Sequence, residues 1–154
     1  EVPEDVKKEW TDRKNAYYQK YLEEISKENI LDDMEEKLNK LKEEGFKIAV
    51  ASSSRNARKV LKNLQISEMF DTISDGHSVE NSKPAPDLFL HTAEKLGLKA
   101  EECVVLEDAE SGVEAALAAD MKAVGVGPQE RVGKAHLVYS NVSDIDFDEI
   151  LEKI

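Results

Sequence analysis

Apolar side chains in the first part of the chain recur at helical spacing. Val6, Trp10, Tyr17, Tyr21 and Ile25 fall mostly three, four or seven residues apart, so residues 4–28 read as one amphipathic helix. Its Trp10 and tyrosines are expected to pack the helical arm. Residues 32–44 repeat the pattern through Met34, Leu38 and Leu41, and Gly45 supplies a stop. From residue 46 the rhythm changes. Short apolar runs at 46–51, 69–74, 103–107, 122–126 and 137–139 read as strands. Helical stretches at 55–64, 88–96 and 111–120 lie between them, with Gly97 ending the second. Ser143-Asp144-Ile145-Asp146 opens a last helix in the style of a capping box. Strands alternating with helices are the signature of parallel βαβ units, so the expected fold class is α/β with a parallel sheet. The expected division is an all-helical arm at 1–30 and an α/β core at 31–154, with no internal repeat.

Composition narrows the function. The 154 residues suit one domain, or one with a small appendage. A net charge of −12, from 33 acids against 21 bases, argues against nucleic-acid binding and against an anionic membrane surface. No apolar run approaches the roughly 18 residues that a membrane-spanning helix needs. The single Cys103 sits inside an apolar run and reads as a small core residue. One cysteine allows no internal disulfide, which fits a reducing compartment, and a cytoplasmic setting is expected. The start, Glu1-Val2-Pro3-Glu4-Asp5, has no initiator methionine, and the expectation is a chain cut from something longer.

In open α/β sheets, ligands gather outside the carboxyl ends of the strands. Three such places carry unusual residues. The first is Ser52-Ser53-Ser54-Arg55-Asn56, where hydroxyls and free amides at a strand-to-helix turn can hold a phosphate; plain helix capping is the alternative. The second is Asn81-Ser82-Lys83-Pro84-Ala85-Pro86-Asp87, where two prolines fix the backbone and aim Lys83; an ordinary solvated lysine is the alternative. The third is Glu107-Asp108, at the end of the apolar run 103–106. Carboxylates are costly to bury unpaired, and Mg2+ is usually held by one or two of them with waters and phosphate oxygens. Here the alternative is a helix N-cap. Hydroxyl, lysine and acid pair, each beyond a successive strand, describe a phosphoryl-transfer site. The lysine precedes the acids along the chain, which counts against a bacterial receiver domain. His77, His91 and His136 show no ligand spacing, and Gly125-Val126-Gly127 reads as a strand-end turn.

Ala51-Ser52-Ser53-Ser54-Arg55-Asn56, Ser82-Lys83-Pro84-Ala85-Pro86-Asp87 and Leu106-Glu107-Asp108 resemble, in this order, motifs II, III and IV of the haloacid dehalogenase superfamily. Within it the chain is most similar to the β-phosphoglucomutases. Arg13-Lys14-Asn15, with Tyr18 one turn on, resembles the part of their cap that faces the sugar phosphate; a charged solvent face is the plain alternative. The resemblance implies a Rossmannoid core with part of a helical cap. It also implies Mg2+-dependent interconversion of β-glucose 1-phosphate and glucose 6-phosphate. The alternatives are a sugar-phosphate phosphatase of the same superfamily and a non-catalytic phosphate-binding module. By resemblance, Ser52 and the Ser53 N–H hold the transferring phosphate and Lys83 neutralises it. Ser54, Arg55 and Asn56 grip the sugar's second phosphate, and Lys14 reaches the substrate from the cap. Glu107 and Asp108 bind Mg2+, with Asp108 the direct ligand.

The chain also departs from that pattern. The superfamily's reaction starts at an Asp-x-Asp-Gly motif on the first strand, whose first Asp attacks phosphorus and whose second shuttles the proton. No Asp-x-Asp-Gly occurs in these 154 residues, and Asp32-Asp33 stands where Pro-Gly is usual. The chain alone is therefore expected to form no phospho-enzyme. The superfamily sheet runs 5-4-1-2-3, so the absent strand is the central one. Such a strand buries about four large apolar side chains, about 6–12 kcal/mol at about 1.5–3 each, which rivals the roughly 5–15 kcal/mol stability of a whole domain. There are three ways to resolve the gap: an N-terminal segment outside the 154 residues supplies the strand, the two half-sheets close on each other, or a second chain supplies it. The first is favoured.

Overall fold

The computed structural model describes residues 2–31 and 33–154. Asp32, half of the Asp32-Asp33 pair, lies outside the described residues. The first helix, α1 (Glu4–Glu24), comes directly after Pro3, with Glu4 and Asp5 facing the positive end of its dipole. It stops short of the expected residue 28, and a separate 3-10 turn covers Lys27–Asn29. The expectation that its aromatic residues pack the arm is overturned. Trp10 is 57% and Tyr21 69% exposed, Tyr17 is exposed as well, and Leu22 is the helix's buried residue. The reason is where α1 docks: its substantial contact is with one later helix, α3 (Ala57–Asn63), and the hydrogen bonds made there come from Gln19 and Leu22 in its last turns.

The second helix, α2 (Met34–Glu43), ends as its sequence predicts. Gly45 takes φ +89, its N–H donates to the Lys42 carbonyl and the Phe46 N–H to the Leu41 carbonyl, both at 3.0 Å. This pair of bonds satisfies carbonyls that the helix end would otherwise orphan. The remaining elements are β1 (Ala49–Ala51), α3, β2 (Thr72–Ser74), α4 (Asp87–Leu96), β3 (Val104–Glu107), α5 (Glu110–Ala118), β4 (Lys122–Val126), α6 (Gln129–Val132), β5 (Leu137–Tyr139) and α7 (Phe147–Lys153).

Several boundaries differ from the sequence expectation for local reasons. The first strand begins at Ala49 rather than 46, because the Asp71 carboxylate takes the Ile48 N–H where a strand residue would. The second shortens to Thr72–Ser74, with a 3-10 turn at Ser67–Met69. The terminal helix begins at Phe147: Asp146 is its cap and accepts from the Asp148 and Glu149 N–H groups, while Val142–Asp144 forms a 3-10 turn. The four-residue α6 is too short to show a period, and the sequence did not predict it. Gly125 is not part of a turn. It lies inside β4, where a Cβ would sit 2.6 Å from Val132, so its bare backbone lets the fully buried Val132 of α6 close on the strand.

The strands are parallel but fall into two sheets, β1-β2 and β3-β4-β5. Helix α4 packs on β1 and β2, and α5 packs on β3 and β4. The principal core joins Phe89 and Ala93 of α4 to Val113, Ala115 and Ala116 of α5, whose small side chains permit a close helix-to-sheet approach. A second cluster gathers Val124, Tyr139, Ile145 and Ile150. Cys103 is partly buried against the first core, as expected of a small apolar residue.

The edges of β1 and β3 face a shared groove, and among the described residues no strand lies between them. The groove has a volume of about 440 Å³ and runs from Lys47 and Cys103 at one end to Ala51 and Glu107 at the other. Residues of α2, α4 and α7 line it. Direct closure of one half-sheet onto the other is therefore not what the chain does. The expectation of a buried strand at 103–107 is also corrected. Val105 is buried, but Val104 and Leu106 are each 39% exposed, because their side of β3 opens on the groove. No helix of the described residues is long and apolar enough to cross a membrane.

Candidate active site

The three sequence features lie at the carboxyl ends of β1 and β3 and on the loop after β2. Lys83 joins them. Its Nζ donates to the Ala51 carbonyl at 3.0 Å and to Glu107 Oε1, and lies 4.4 Å from the centre of the Phe89 ring. The Lys83 and Glu107 side chains are 10% and 11% exposed. In such a setting the ammonium gains from carboxylate, carbonyl and ring face at once. The solvated-lysine alternative does not hold.

The Glu107 carboxylate lies over the first turn of α5, where a Cβ on Gly112 would come within 2.1–2.4 Å of its carboxyl atoms. Its Oε2 stands 3.4 Å from the Ala109 N–H. Asp108, the next residue, is exposed and makes no hydrogen bond among the described residues. The helix-cap alternative for this acid pair fails, since α5 is capped by Ala109 with no side-chain bond.

The serine loop is held by local turns. Ser52 Oγ accepts the Ser54 N–H, and Ser54 Oγ accepts the Asn56 N–H, each at 3.2 Å. Either hydroxyl still has its own proton to donate. The Ser53 and Arg55 N–H groups have no partner among the described contacts. Because α3 spans only Ala57–Asn63, these free amides, rather than a long helix dipole, are what the loop offers an anion. Arg55 is exposed. Asn56 Oδ1 accepts from Gln19 Nε2 at 3.3 Å, and Gln19 Oε1 accepts from Lys59. Asn63 donates to the Leu22 carbonyl at 2.6 Å. So the arm is pinned to α3 beside one of the expected substrate-binding residues. Lys14 is not brought into contact with the loops: it is exposed, about 7.5 Å along the α1 axis from Gln19 at 1.5 Å per residue.

Sequence reasoning missed the support behind the serine loop. Asp75, just after β2, is 5% exposed and accepts the His77 N–H and the Arg58 guanidinium. The His77 N–H, and after it the Arg58 charge, hold its carboxyl below the usual range against the opposing effect of burial. By residue type alone, Asp75-Gly76 is ordinary turn chemistry. The available signal was an acid directly at a strand's carboxyl end, the same signal that singled out Glu107.

For a divalent ion the donor set is small. No group of three His, Cys, Asp or Glu side chains converges among the described residues, and one Glu107 oxygen is engaged by Lys83. Two adjacent carboxylates, one of them free, fit an ion that completes its shell with waters and phosphate oxygens, and do not fit an all-protein cage. The histidines stay apart; His136 Nδ1 accepts the Ala123 N–H, and the His136 backbone N–H donates to the Ala123 carbonyl.

Comparison with known proteins sets this geometry in context. A family model described as haloacid dehalogenase-like hydrolase matches residues 2–126. The β-phosphoglucomutase of Bacillus subtilis is 39% identical over 147 residues, which is 96% of this chain and 65% of that protein. A phosphorylated carbohydrates phosphatase of Thermotoga maritima is 37% identical over 83% of this chain and 60% of its own length. The crystal structure of β-phosphoglucomutase from Clostridium difficile superposes with a TM-score of 0.88 at 38% identity, covering 99% of this chain and 68% of that one. The chain thus spans less than two thirds of the length of both sequence relatives.

Proposed function

We propose, for a chain that belongs to the haloacid dehalogenase-like hydrolase family, a role in phosphoryl transfer on sugar phosphates, of the β-phosphoglucomutase type. The observation that carries this reading is the convergence on Lys83: one ammonium joins the end of β1, beside the serine loop, to the acid at the end of β3. The Ser53 N–H and the Ser52 hydroxyl would receive the transferring phosphate, and Lys83 would neutralise it. Ser54, Arg55 and Asn56 would hold the sugar's second phosphate, with Lys14 reaching in from the arm of residues 1–30 over the core of residues 31–154. Asp108 directly, and Glu107 beside it, would hold Mg2+. The ion would supply positive charge against the phosphoryl oxygens.

The nucleophile is not among these side chains. In this reading an extended segment lying between β1 and β3 carries it. The first carboxylate of that segment's Asp-x-Asp-Gly bonds to phosphorus as the P–O bond to the sugar breaks, and the second gives the leaving oxygen its proton. Transfer to the other sugar hydroxyl reverses both steps. An N-terminal segment is the favoured source of the strand, ahead of a second chain. The setting of such an acidic, single-cysteine enzyme would be the cytoplasm.

A phosphatase is the second reading, favoured by the 37% identity to the Thermotoga carbohydrate phosphatase. Turnover separates the two in a form that carries the completing strand. The mutase reading expects β-glucose 1-phosphate to become glucose 6-phosphate in the presence of the bisphosphate and Mg2+. Release of inorganic phosphate without bisphosphate dependence selects the phosphatase, and neither product would refute phosphoryl transfer. For the 154 residues alone the expectation is that acetyl phosphate leaves no covalent label; a label mapped within them would overturn it.

A further inference from the structure

We propose that Asp75, Gly76 and Arg58 form a positioning brace that sets the direction of the free Arg55 amide in the serine loop. Its centre is a buried charge. Asp75 is nearly inaccessible: Oδ1 accepts the His77 N–H at 2.9 Å, and Oδ2 accepts at 3.1 Å from the Nε of Arg58, whose side chain reaches it from the surface. Arg58 Nη2 donates in turn to the Ile73 carbonyl. The Asp75 N–H donates to Ser78 Oγ and the Ser78 N–H to the Asp75 carbonyl, both at 2.9 Å. A turn that needed only closing would be served by a neutral residue at less desolvation cost.

The turn closed in this way presses its next residue against the serine loop. The Gly76 N–H lies 3.4 Å from the Ser54 carbonyl, and a Cβ at Gly76 would sit 2.4 Å from the Ser53 carbonyl oxygen. The tightest contact is therefore backbone on backbone, with Arg55 Cγ farther off at 3.1 Å, so moving a side chain does not relieve it. Two peptide units are fixed. The unit joining Ser53 to Ser54 has its carbonyl against Gly76 and its N–H on Ser52 Oγ. The unit joining Ser54 to Arg55 has its carbonyl shared between the Gly76 N–H and the Ala57 N–H, each at 3.4 Å, so the turn and the start of α3 hold it together. In a trans peptide the carbonyl and N–H point in opposite directions, so the Arg55 N–H is turned away from the Gly76 turn and left free. The Ser52 N–H, bonded to the Ser74 carbonyl at 3.0 Å, anchors the loop's near end to the same strand. The brace thus acts through the loop on whatever anion the loop receives. That this anion is a phosphate dianion rests on the function proposed above.

The test is amide hydrogen exchange by NMR on the ligand-free protein, followed by titration with inorganic phosphate, for wild type, Asp75→Asn, Arg58→Lys and Gly76→Ala. The brace predicts that Asp75→Asn and Gly76→Ala lower the protection of the Ser54, Asn56 and Gly76 amides at least about tenfold, while amides of β4 keep theirs. Arg58→Lys, which retains the charge, falls between. Phosphate affinity should follow the same order. Unchanged loop protection in both variants, or a loss shared equally by β4, overturns the brace. Wild-type protein that binds no phosphate counts against the proposed function alone, since the exchange measurement needs no ligand.

Discussion

Lys83 and Glu107 meet at the carboxyl end of the groove, and with the Ala51 carbonyl they make a side-chain link between the two sheets. Everything else at the site is arranged around this pair: the serine loop beyond β1 on one side, and exposed Asp108 on the other.

Removing one partner of a mostly buried pair strands the other. Lys83→Met leaves the Glu107 carboxylate with only the longer contact from the Ala109 N–H, and a loss of about 1–3 kcal/mol is expected. Urea unfolding at pH 7 measures it. The double variant Lys83→Met/Glu107→Gln should lose less than the sum of the two single changes, because the interaction is shared.

Gly112→Ala tests the same pair from below. Alanine favours a helix over glycine by about 1 kcal/mol, but here the methyl would enter the space of the Glu107 carboxylate. A free glutamate could swing aside, but Lys83 holds this carboxylate, so the steric term is expected to win, with a net loss of about 1–3 kcal/mol seen as a lower melting temperature. A rise in melting temperature would mean that Glu107 does not rest on α5.

Tyr139 predicts an alkaline limit. Burial first, and then its hydrogen bond to Glu149, push its hydroxyl up to about 12. The unfolded chain ionises near the ordinary value of about 10. A raised pKa of this kind contributes stability that is complete below about pH 10 and is lost as pH rises towards about 12. Stability measured by urea unfolding between about pH 9 and 12 should fall in wild type, and the part due to this residue should vanish in Tyr139→Phe.

Much of the fold was legible because its signals are local. Gly45 ends α2 where predicted, β4 and β5 have their predicted bounds, and the alternation after residue 46 pointed to the parallel class. The misreadings came where a distant partner decides. Trp10 and Tyr21 carry a helical apolar pattern, but among the described residues the hydrogen bonds that dock α1 on α3 come from Gln19 and Leu22, in its last turns. Val104 and Leu106 look like core positions, yet they border a groove. Gly125 resembled turn chemistry because nothing nearby in sequence announces Val132. At the site, the motif residues Ser52, Lys83 and Glu107 were legible. Asp75, Gly76 and Gly112 were not, because their part depends on what lies across the loop.

The most direct test of phosphate binding at this convergence is an NMR titration of the chain with glucose 6-phosphate, with and without Mg2+. The expected result is a set of amide shifts concentrated at Ser53, Arg55 and Lys83, with the Asp108 signal moving only when Mg2+ is present, and loss of the response in Lys83→Met. Shifts centred elsewhere, or a response that survives Lys83→Met unchanged, would contradict phosphate binding at Lys83.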